Sequence, residues 1–509
     1  MRRARPRTGA PLLCGVDAAI GWTVVAAVCA RLAATANELH WALLPLALCG
    51  GLEAPTLVRW IRGRADAFDP KSIVTLFVFH NTFVAPVLHL AWDWYTPLVR
   101  VPDDTWEWFG RLATVNAAAL VALELSYTWA TAGPPPALRP LRRVDAPRLA
   151  GTLALGGLVA LAAQVQLLRH FGGASGLIDA YEVRGVEFSG MGMVLMLAWP
   201  FPLIVLLETL LFLGRRGRRT RRRPGAALVA AILATFAGVH LGWAGLHGSR
   251  LSMLGGMFLA AGLCHFLLRR FSSRAVMIGL GTAFVFCFLY SFYKGAGRDG
   301  ISAALSGAEG IARAQQRTGR DVGWLLLGDL ARADVQMEVL WTMYEANPTY
   351  RPQLGSTYVG AAIFVPRSVW PARPRGPQEA YAELRDGRIG TREGDAPNSR
   401  VFGLGGETLL NFGWTGMPIA HALFGALIGR LRRAIASLRP GDARFLLVPF
   451  AMLLVTALYL LDLSQVVFMF LQDCALLGVC IGLAFLGGRR RPARARRPQL
   501  AAAPAWRAA

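Results

Sequence analysis

Long apolar runs separated by short polar breaks make up most of the chain. A helix needs about 20 apolar residues to cross the hydrocarbon core of a bilayer. We predict about twelve such spans, at residues 11–33, 39–61, 72–94, 110–131, 150–168, 192–213, 226–246, 251–269, 275–293, 409–430, 445–463 and 466–487. The first run is longer than the apolar region of a signal peptide, so we predict an uncleaved span there. The pattern is typical of an all-α polytopic membrane protein.

The predicted spans divide the chain into four parts. Residues 1–293 hold spans 1 to 9, and residues 294–408 form one large extracytoplasmic loop. Residues 409–487 hold spans 10 to 12, and residues 488–509 form a basic cytoplasmic tail. Within the loop, Gly323–Ala346 alternates apolar and polar residues near the helical period. This alternation predicts an amphipathic helix, lying at the membrane surface or against the bundle.

The composition and the placement of charge support a membrane protein. The 509 residues are 54% hydrophobic, and a mean hydropathy of +0.41 is too apolar for a soluble enzyme. A net charge of +23 would fit nucleic-acid binding, but the arginines cluster in alternate loops. Cytoplasmic loops of membrane proteins carry such an excess of basic residues. We therefore expect both termini in the cytoplasm, with membrane lipids and not nucleic acid as the basic surface's partner.

Sequence motifs for cofactors and metals are missing. The 7 cysteines all fall inside predicted spans and form no CxxC pair, so we interpret them as small core residues. The chain has no Walker loop, no dinucleotide fingerprint after a strand and no HExxH motif. We predict neither a cofactor nor a bound metal.

Several polar residues fall inside the predicted spans, where they are costly and often functional. They form a relay or are paired structural groups, and the sequence leaves both interpretations open. These residues are Asp17, Glu53, His80, Asn81, His89, Glu124, Glu208 and His240.

Arginines in the outer segments are the first candidates for chemistry. Arg250 stands in a turn of a few residues between two apolar spans, and Arg367 and Arg373 lie among the prolines of VPRSVWPARP, Val365–Pro374. A guanidinium group stays charged and offers a planar fork of donors that fits phosphate. Neighbouring prolines fix where that fork points. We expect an anionic, phosphate-bearing substrate, although a solvated arginine or one bound to lipid headgroups would give the same pattern.

The second candidate is the carboxylate of Glu407, in the segment FGLGGETLLNFGWTG that leads into span 10. Glu407 could act as a general base that accepts the proton of an attacking hydroxyl. A first-turn acid that stabilises a helix through its dipole is the alternative. The sequence leaves both open.

The order of these features resembles the oligosaccharide repeat unit polymerase family, the Wzy-type O-antigen and exopolysaccharide polymerases. The features are a GSR turn between two spans, a large outer loop with GSTY and VPRSVWPARP, and GGETLLNFGWTG before a span. The matching positions are Pro366, Arg367, Trp370, Pro371, Pro374, Gly406, Glu407, Asn411, Phe412, Gly413 and Gly416. The chain departs from the family at Arg373, where relatives usually have lysine.

The resemblance implies a GT-C-like glycosyltransferase of the bacterial plasma membrane. Undecaprenyl-diphosphate-linked oligosaccharides would be both donor and acceptor, and the lipid diphosphate would leave. No nucleotide sugar or metal is expected. Chain-length regulator and flippase proteins are the protein partners that the resemblance implies.

The resemblance also implies roles for individual residues. We expect Arg250 and Arg367 to bind the diphosphate and Glu407 to act as the catalytic base, with a structural Glu407 as the alternative. Trp370 would face a sugar ring or pack the loop. The candidate substrate-binding residues are Arg373, Trp370, Arg184, Tyr181 and Asn411.

Two other functions fit the same architecture. A lipid-linked glycan ligase would use the same donor with a different acceptor. A transporter or flippase of the lipid-linked oligosaccharide would bind it without lengthening it. Against transport stand the missing repeat symmetry and the concentration of distinctive residues in one outer loop.

Overall fold

Helices account for nearly all the regular structure in the part of the chain that can be described. The computed structural model describes residues 10–37, 39–134, 136, 146–183, 191–220, 224–243, 250–362, 365, 368–386, 401–438 and 442–486. The helices are α1 Ala10–Ala36, α2 Leu43–Ile61, α3 Pro70–Trp92, α4 Thr105–Thr131, α5 Ala146–His170, α6 Ala174–Val183, α7 Gly192–Ala198, α8 Phe201–Thr220, α9 Ala226–Trp243, α10 Arg250–Leu267, α11 Ser273–Leu305, α12 Ala308–Thr318, α13 Ala333–Trp341, α14 Ser356–Gly360, α15 Pro377–Asp386, α16 Gly403–Ser437, α17 Val448–Leu460 and α18 Leu463–Leu486.

Nine helical segments in the described ranges are long and apolar enough to cross a membrane. They coincide with nine of the predicted spans, and the protein is therefore membrane-embedded. The other three predicted spans correspond to helices with a different character. The segment 39–61 falls on α2, 409–430 lies within α16, and 445–463 falls on α17, which has only 13 residues.

Helices α4 and α16 pack side by side along much of their length. Gly425 makes the close approach possible, because a Cβ there would lie 2.3 Å from the Leu123 carbonyl oxygen of α4. Small residues at such crossings are typical of helix contacts in membranes. The two helices thus form an extensive contact, and the N-terminal end of α16 reaches the long loop.

The polar residues inside the spans are mostly paired. Asp17 accepts hydrogen bonds from Arg62 and Arg64 at 3.1 and 2.6 Å. Lys71, 2% exposed, forms ion pairs with Glu53 and Glu124. A buried charge persists where a partner compensates the loss of water. These contacts favour the structural interpretation of Asp17, Glu53 and Glu124 over a relay.

Helix α3 contains a wider π-helical turn at His80–Val84, two residues before Pro86, which has no backbone N–H to donate. The turn directs its first two side chains at the long loop. His80 Nε2 lies 3.0 Å from the Leu326 carbonyl oxygen, and the Arg332 backbone N–H donates to Asn81 Oδ1 at 2.8 Å. Two polar residues of a membrane helix therefore anchor the loop.

The predicted amphipathic helix over Gly323–Ala346 differs from the structure in two ways. It is broken at Leu330–Arg332 into a π-helical segment, Trp324–Asp329, and α13. In addition, every residue from 333 to 340 is buried, including Asp334 and Glu338. The helix packs against α4 and α16, which is the second of the two predicted locations. Packing against the bundle covers the charged face as well as the apolar one.

The boundary of the loop also shifts. Helix α11 continues past residue 293 to Leu305, with a break at Ala296 and Gly297 where the φ of Gly297 is 58°. The loop therefore starts as a bent continuation of a membrane helix. Residues 387–400 and the predicted tail 488–509 lie outside the described residues.

Candidate functional site

The two motif segments of the sequence, GSTY and GGETLLNFG, are in direct contact. Asn411 on α16 is fully buried, and its Oδ1 accepts hydrogen bonds from the backbone N–H groups of Gly355 and Thr357 at 3.0 and 3.4 Å. Its Nδ2 donates to Thr357 Oγ1 at 2.6 Å. One side chain thus fixes the start of the short helix α14 on α16. Asn411, predicted to bind substrate, holds the two motifs together.

A break in α16 provides two further contacts. Gly413 has φ 65° and ψ −165°, a conformation that is almost exclusive to glycine. The break frees the carbonyl oxygens of the preceding turn, which would otherwise accept bonds within the helix. Leu410 O accepts from the Gln353 N–H at 3.0 Å, and Asn411 O accepts from the Leu354 N–H at 2.8 Å. The break at Gly413 therefore allows the loop residues Gln353 and Leu354 to bind α16.

We predict that Gly413→Ala destabilises the protein by about 1–3 kcal/mol. The positive φ strains any side chain, and a Cβ would lie 2.8 Å from the Tyr344 hydroxyl oxygen. The midpoint of thermal unfolding in detergent measures the effect. Gly281→Ala in α11 is the matched control, since its Cβ meets nothing within 4 Å. Equal midpoints for the two variants would contradict the docking role of the break.

Glu407 lies directly beneath the GSTY segment and is 2% exposed. Its Oε1 accepts a hydrogen bond from Thr357 Oγ1 at 3.1 Å. Its Oε2 accepts from the backbone N–H of Leu463, the first residue of α18, at 2.8 Å. A carboxylate at a helix start satisfies a free N–H and interacts favourably with the helix dipole. Glu407 therefore does cap a helix, although the helix is α18 and not its own.

Asp462 makes the reciprocal contact. Its Oδ1 accepts from the backbone N–H groups of Phe402 and Gly403, where α16 starts, at 2.8 and 3.2 Å. Its Oδ2 accepts from Gln378 Nε2 of the loop helix α15 at 2.8 Å. The carboxylates of Glu407 and Asp462 thus tie the N-terminal ends of α16 and α18 to each other and to the loop.

Both carboxylates lie outside the nine apolar helices, and both hold their protons unusually tightly. Burial raises the pKa of Glu407 to about 7, and the nearby Asp462 carboxylate adds to the rise. Burial likewise raises the pKa of Asp462 to about 7, against the lowering effect of its hydrogen bonds and of the Arg332 charge. Two interacting acids titrate as a pair. Near neutral pH this pair can take up or release a proton.

A pH dependence of stability follows from these raised pKa values. An acid whose folded pKa exceeds its ordinary value, 4.5 for Glu407 and 3.8 for Asp462, binds protons better in the folded state. The stabilisation is fully present below the ordinary value and is lost as the pH rises through about 7. We expect the midpoint temperature of thermal unfolding to decrease as the pH is raised from about 5 to about 8, the range in which the pair titrates.

The Glu407→Gln variant removes one of the two titrating groups and should flatten this dependence. Glu309→Gln, at an exposed position in α12, is the matched control and should leave the slope unchanged. A midpoint that rises with pH in the unmodified protein would contradict the shifted pKa values.

Arg250, the first residue of α10, is paired within the protein. Its Nη1 lies 2.5 Å from Asp329 Oδ2 at the end of the Trp324–Asp329 segment. Arg320 Nη1 lies 3.8 Å from the same oxygen. The predicted diphosphate ligand thus belongs to a group of arginines held around one carboxylate.

Arg332 links this group to the two buried carboxylates. Its Nη1 donates to the backbone carbonyl of Asp329 at 2.9 Å, and its charge lowers the pKa of Asp462. Arg332 therefore lies between the arginine group and the Glu407–Asp462 pair. The site combines cations and protonatable carboxylates at one end of the bundle.

The segment VPRSVWPARP is described only in part, because Pro366 and Arg367 lie outside the described residues. Arg373 Nη1 donates to the Val365 carbonyl at 2.8 Å and to the Ala362 carbonyl at 3.4 Å. These bonds brace the loop internally and favour a structural role over the predicted substrate contact. Trp370 is half-buried, so part of its ring stays accessible.

The segment before α7 contributes little that can be described. Tyr181 lies on α6, but its side chain and the whole of Arg184 are outside the described residues. The role of both residues in substrate binding stays a prediction.

Sequence reasoning missed Thr357, Asp462, Arg320 and Arg332. Thr357 belongs to the GSTY segment, and the position of this segment in the loop could have marked it as a candidate. Asp462 stands alone between two apolar runs, a placement that often marks function. The two arginines give no such signal, because only the fold of the loop brings them to Asp329.

The described residues contain no group of three or more His, Cys, Asp or Glu side chains that could hold a metal ion. No protein-family model matches the chain, and no curated protein or solved structure is significantly similar to it.

Proposed function

We propose that the chain is a membrane glycosyltransferase that polymerises undecaprenyl-diphosphate-linked oligosaccharide repeat units into a surface polysaccharide. The observation that carries the proposal is the contact between the two motif segments of the polymerase resemblance. Thr357 of GSTY bonds both Glu407 and Asn411 of GGETLLNFG. Residues 50 and 54 positions apart in the sequence thus form one buried unit.

The proposed reaction is a displacement at the anomeric carbon of the donor sugar. An acceptor hydroxyl oxygen forms the new bond to that carbon while the bond to the lipid diphosphate oxygen breaks. The bonding electron pair leaves with the diphosphate, and the hydroxyl proton passes to Glu407. Preorganised cations that meet the growing negative charge lower the barrier. Arg250 and Arg367 have this role in the proposal.

Glu407 suits the base in one respect that the sequence could not provide. A general base works best when its pKa lies near the operating pH. Burial raises the pKa of Glu407 to about 7. Thr357 and Leu463 orient the carboxylate at the same time.

The proposal includes a twelve-span, GT-C-like topology in the bacterial plasma membrane with both termini in the cytoplasm. Helices α2, α16 and α17 would add three spans to the nine apolar helices. The alternation of basic loops supports this orientation. The long loop, with Glu407 at its end, would then face outward, where lipid-linked repeat units are joined.

A strain that lacks this gene tests the function. A polymerase deletion should accumulate surface glycan with a single repeat unit. A ligase deletion would instead accumulate long polymer that is not attached to its acceptor, and that result would contradict the proposal.

Arg367 provides a prediction at the residue level. We expect Arg367→Ala to shorten the surface glycan to single units, and Arg367→Lys to restore only part of the length, because an ammonium group lacks the planar fork. Gel profiles of chain length in the complemented deletion strain measure this, with membrane insertion checked by immunoblot. Normal polymer from the alanine variant would rule out a role for Arg367.

A further inference from the structure

The Asp329 carboxylate lies between Arg250 and Arg320. Its Oδ2 is 2.5 Å from Arg250 Nη1 and 3.8 Å from Arg320 Nη1. The side chains of Arg250, Arg320 and Asp329 are 11%, 15% and 21% exposed. The carboxylate therefore occupies the position that an external anion would take between the two guanidinium groups.

The contact with Asp329 leaves donor capacity unused. Among the described residues, Arg250 Nη1 and Asp329 Oδ2 are inaccessible to solvent and have no hydrogen-bond partner of good geometry. A buried polar atom without a bond gains from a better partner.

Aromatic residues place this group at the depth of lipid headgroups. The Arg320 guanidinium lies over the Trp324 ring, 5.0 Å from its centroid, and Trp94 meets Trp324 edge-on at 6.2 Å. Trp94 lies two residues after the end of α3, a membrane-crossing helix. Tryptophans at such positions mark the membrane–water interface. The anion nearest to Arg250 and Arg320 would therefore be a phosphate group of a lipid.

Most lipid phosphates at that depth are phosphodiesters with a single negative charge. A phosphodiester would gain little binding free energy by displacing the Asp329 carboxylate, which has the same charge and is already in contact with the arginines. A diphosphate carries more charge and more acceptor oxygens, so it can bind both guanidinium groups at once. An internal competitor raises selectivity by weakening the wrong ligand more than the right one.

We propose that Asp329 is a specificity-determining residue: its carboxylate keeps Arg250 and Arg320 from binding phosphodiester headgroups and gives way to a lipid-linked diphosphate. The proposal rests on the proposed function for the identity of the diphosphate lipid. It adds Arg320 as the second ligand of that group and gives Asp329 a role in selection.

Binding to the full-length protein in nanodiscs tests the proposal without an acceptor and so without polymerisation. The probes are a fluorescent prenyl diphosphate, a fluorescent phosphatidylglycerol, whose headgroup phosphate is a phosphodiester, and inorganic pyrophosphate. We expect Asp329→Asn to reduce the preference for the diphosphate over the phosphodiester about tenfold, chiefly because the phosphodiester binds more tightly. We expect Arg320→Ala to weaken prenyl diphosphate binding about tenfold.

Two exposed residues of the same loop give matched controls. Asp299 and Arg317 are 79% and 64% exposed and lie 3.9 Å apart. Asp299→Asn and Arg317→Ala make the same charge changes and should alter neither affinity nor preference. An unchanged preference in Asp329→Asn, or an equal change in Asp299→Asn, would overturn the proposal. If Asp329→Asn does not fold, Arg320→Ala with unchanged diphosphate binding overturns it instead.

The outcomes separate this proposal from the proposed function. The predicted binding pattern without any polymerising activity would support the diphosphate site and contradict the polymerase. Polymerising activity together with diphosphate binding that does not change in the Asp329 and Arg320 variants would support the polymerase and contradict the diphosphate site. Inorganic pyrophosphate that binds as tightly as the prenyl diphosphate would contradict the assignment to a lipid.

Discussion

Replacing Glu407 with glutamine should reduce polymerisation about 100- to 10,000-fold, the range that a general base contributes. The substitution removes the basic oxygen but keeps the size of the side chain. Its amide oxygen can still accept from the Leu463 N–H, and its amide nitrogen can donate to Thr357 Oγ1. The measurement is the rate of lengthening of lipid-linked glycan by the purified variant. Glu309→Gln, exposed on α12, is the control and should act as the unmodified protein does.

The glutamine variant separates the two interpretations of Glu407 that the sequence left open. If the residue only caps α18, Glu407→Gln should retain most of the activity, while Glu407→Ala loses activity through a weakened fold. If it is the base, both variants should be inactive, and the glutamine variant should still unfold near the temperature of the unmodified protein. A pH–rate profile adds a check: activity should rise through about pH 7 as the base loses its proton.

Replacing Arg250 with alanine should reduce polymerisation about 100- to 1,000-fold, as expected when one preorganised charge contact to a transition state is lost. Arg250→Lys should recover part of this loss, since the charge returns without the fork. Polymerisation rates of the purified variants measure both effects. Arg317→Ala is the matched control, because that arginine is 64% exposed in the same outer region.

A double variant distinguishes catalysis from simple charge pairing. Arg250→Ala leaves the Asp329 carboxylate without its closest cation, and this alone could harm the fold. Arg250→Ala combined with Asp329→Asn removes both charges and that penalty. Diphosphate binding by Arg250 predicts that the double variant stays inactive. Recovered activity would mean that Arg250 serves only to neutralise Asp329.

The sequence predicts the membrane helices well where a single apolar run is enough. Nine predicted spans are confirmed as helices of sufficient length and hydropathy. Two of the three exceptions have physical causes. Helix α2 carries the fully buried Glu53, whose charge is compensated by Lys71, and α16 includes glycines and polar residues that serve the site. Polar residues lower the mean hydropathy of a helix, and this average takes no account of the partners that compensate their burial.

The arrangement of the long loop is beyond such reasoning. The alternation in Gly323–Ala346 correctly indicates helix but cannot show that Asp334 and Glu338 will be buried, because burial depends on α4 and α16. Residues far away in the sequence determine whether the polar face of a helix is buried or exposed. A sequence pattern describes one element, whereas packing involves several.

Part of the candidate site could be predicted from the sequence. Glu407 and Asn411 stand in a recognisable motif, and Arg250 is conspicuous between two apolar spans. Arg320 becomes a candidate only when the fold brings it to Asp329, and the fold also shows that Asp462 binds the start of α16. The break at Gly413, which docks the loop, likewise gains its meaning from Tyr344 and Leu354.

The central claim is that this protein lengthens a lipid-linked glycan at the site around Glu407. The most direct test reconstitutes the purified protein in liposomes with undecaprenyl-diphosphate-linked repeat units and no other protein. The account predicts a ladder of longer lipid-linked glycans with release of undecaprenyl diphosphate, and loss of both with Glu407→Gln. Repeat units that stay single, whether or not they cross the bilayer, would contradict it.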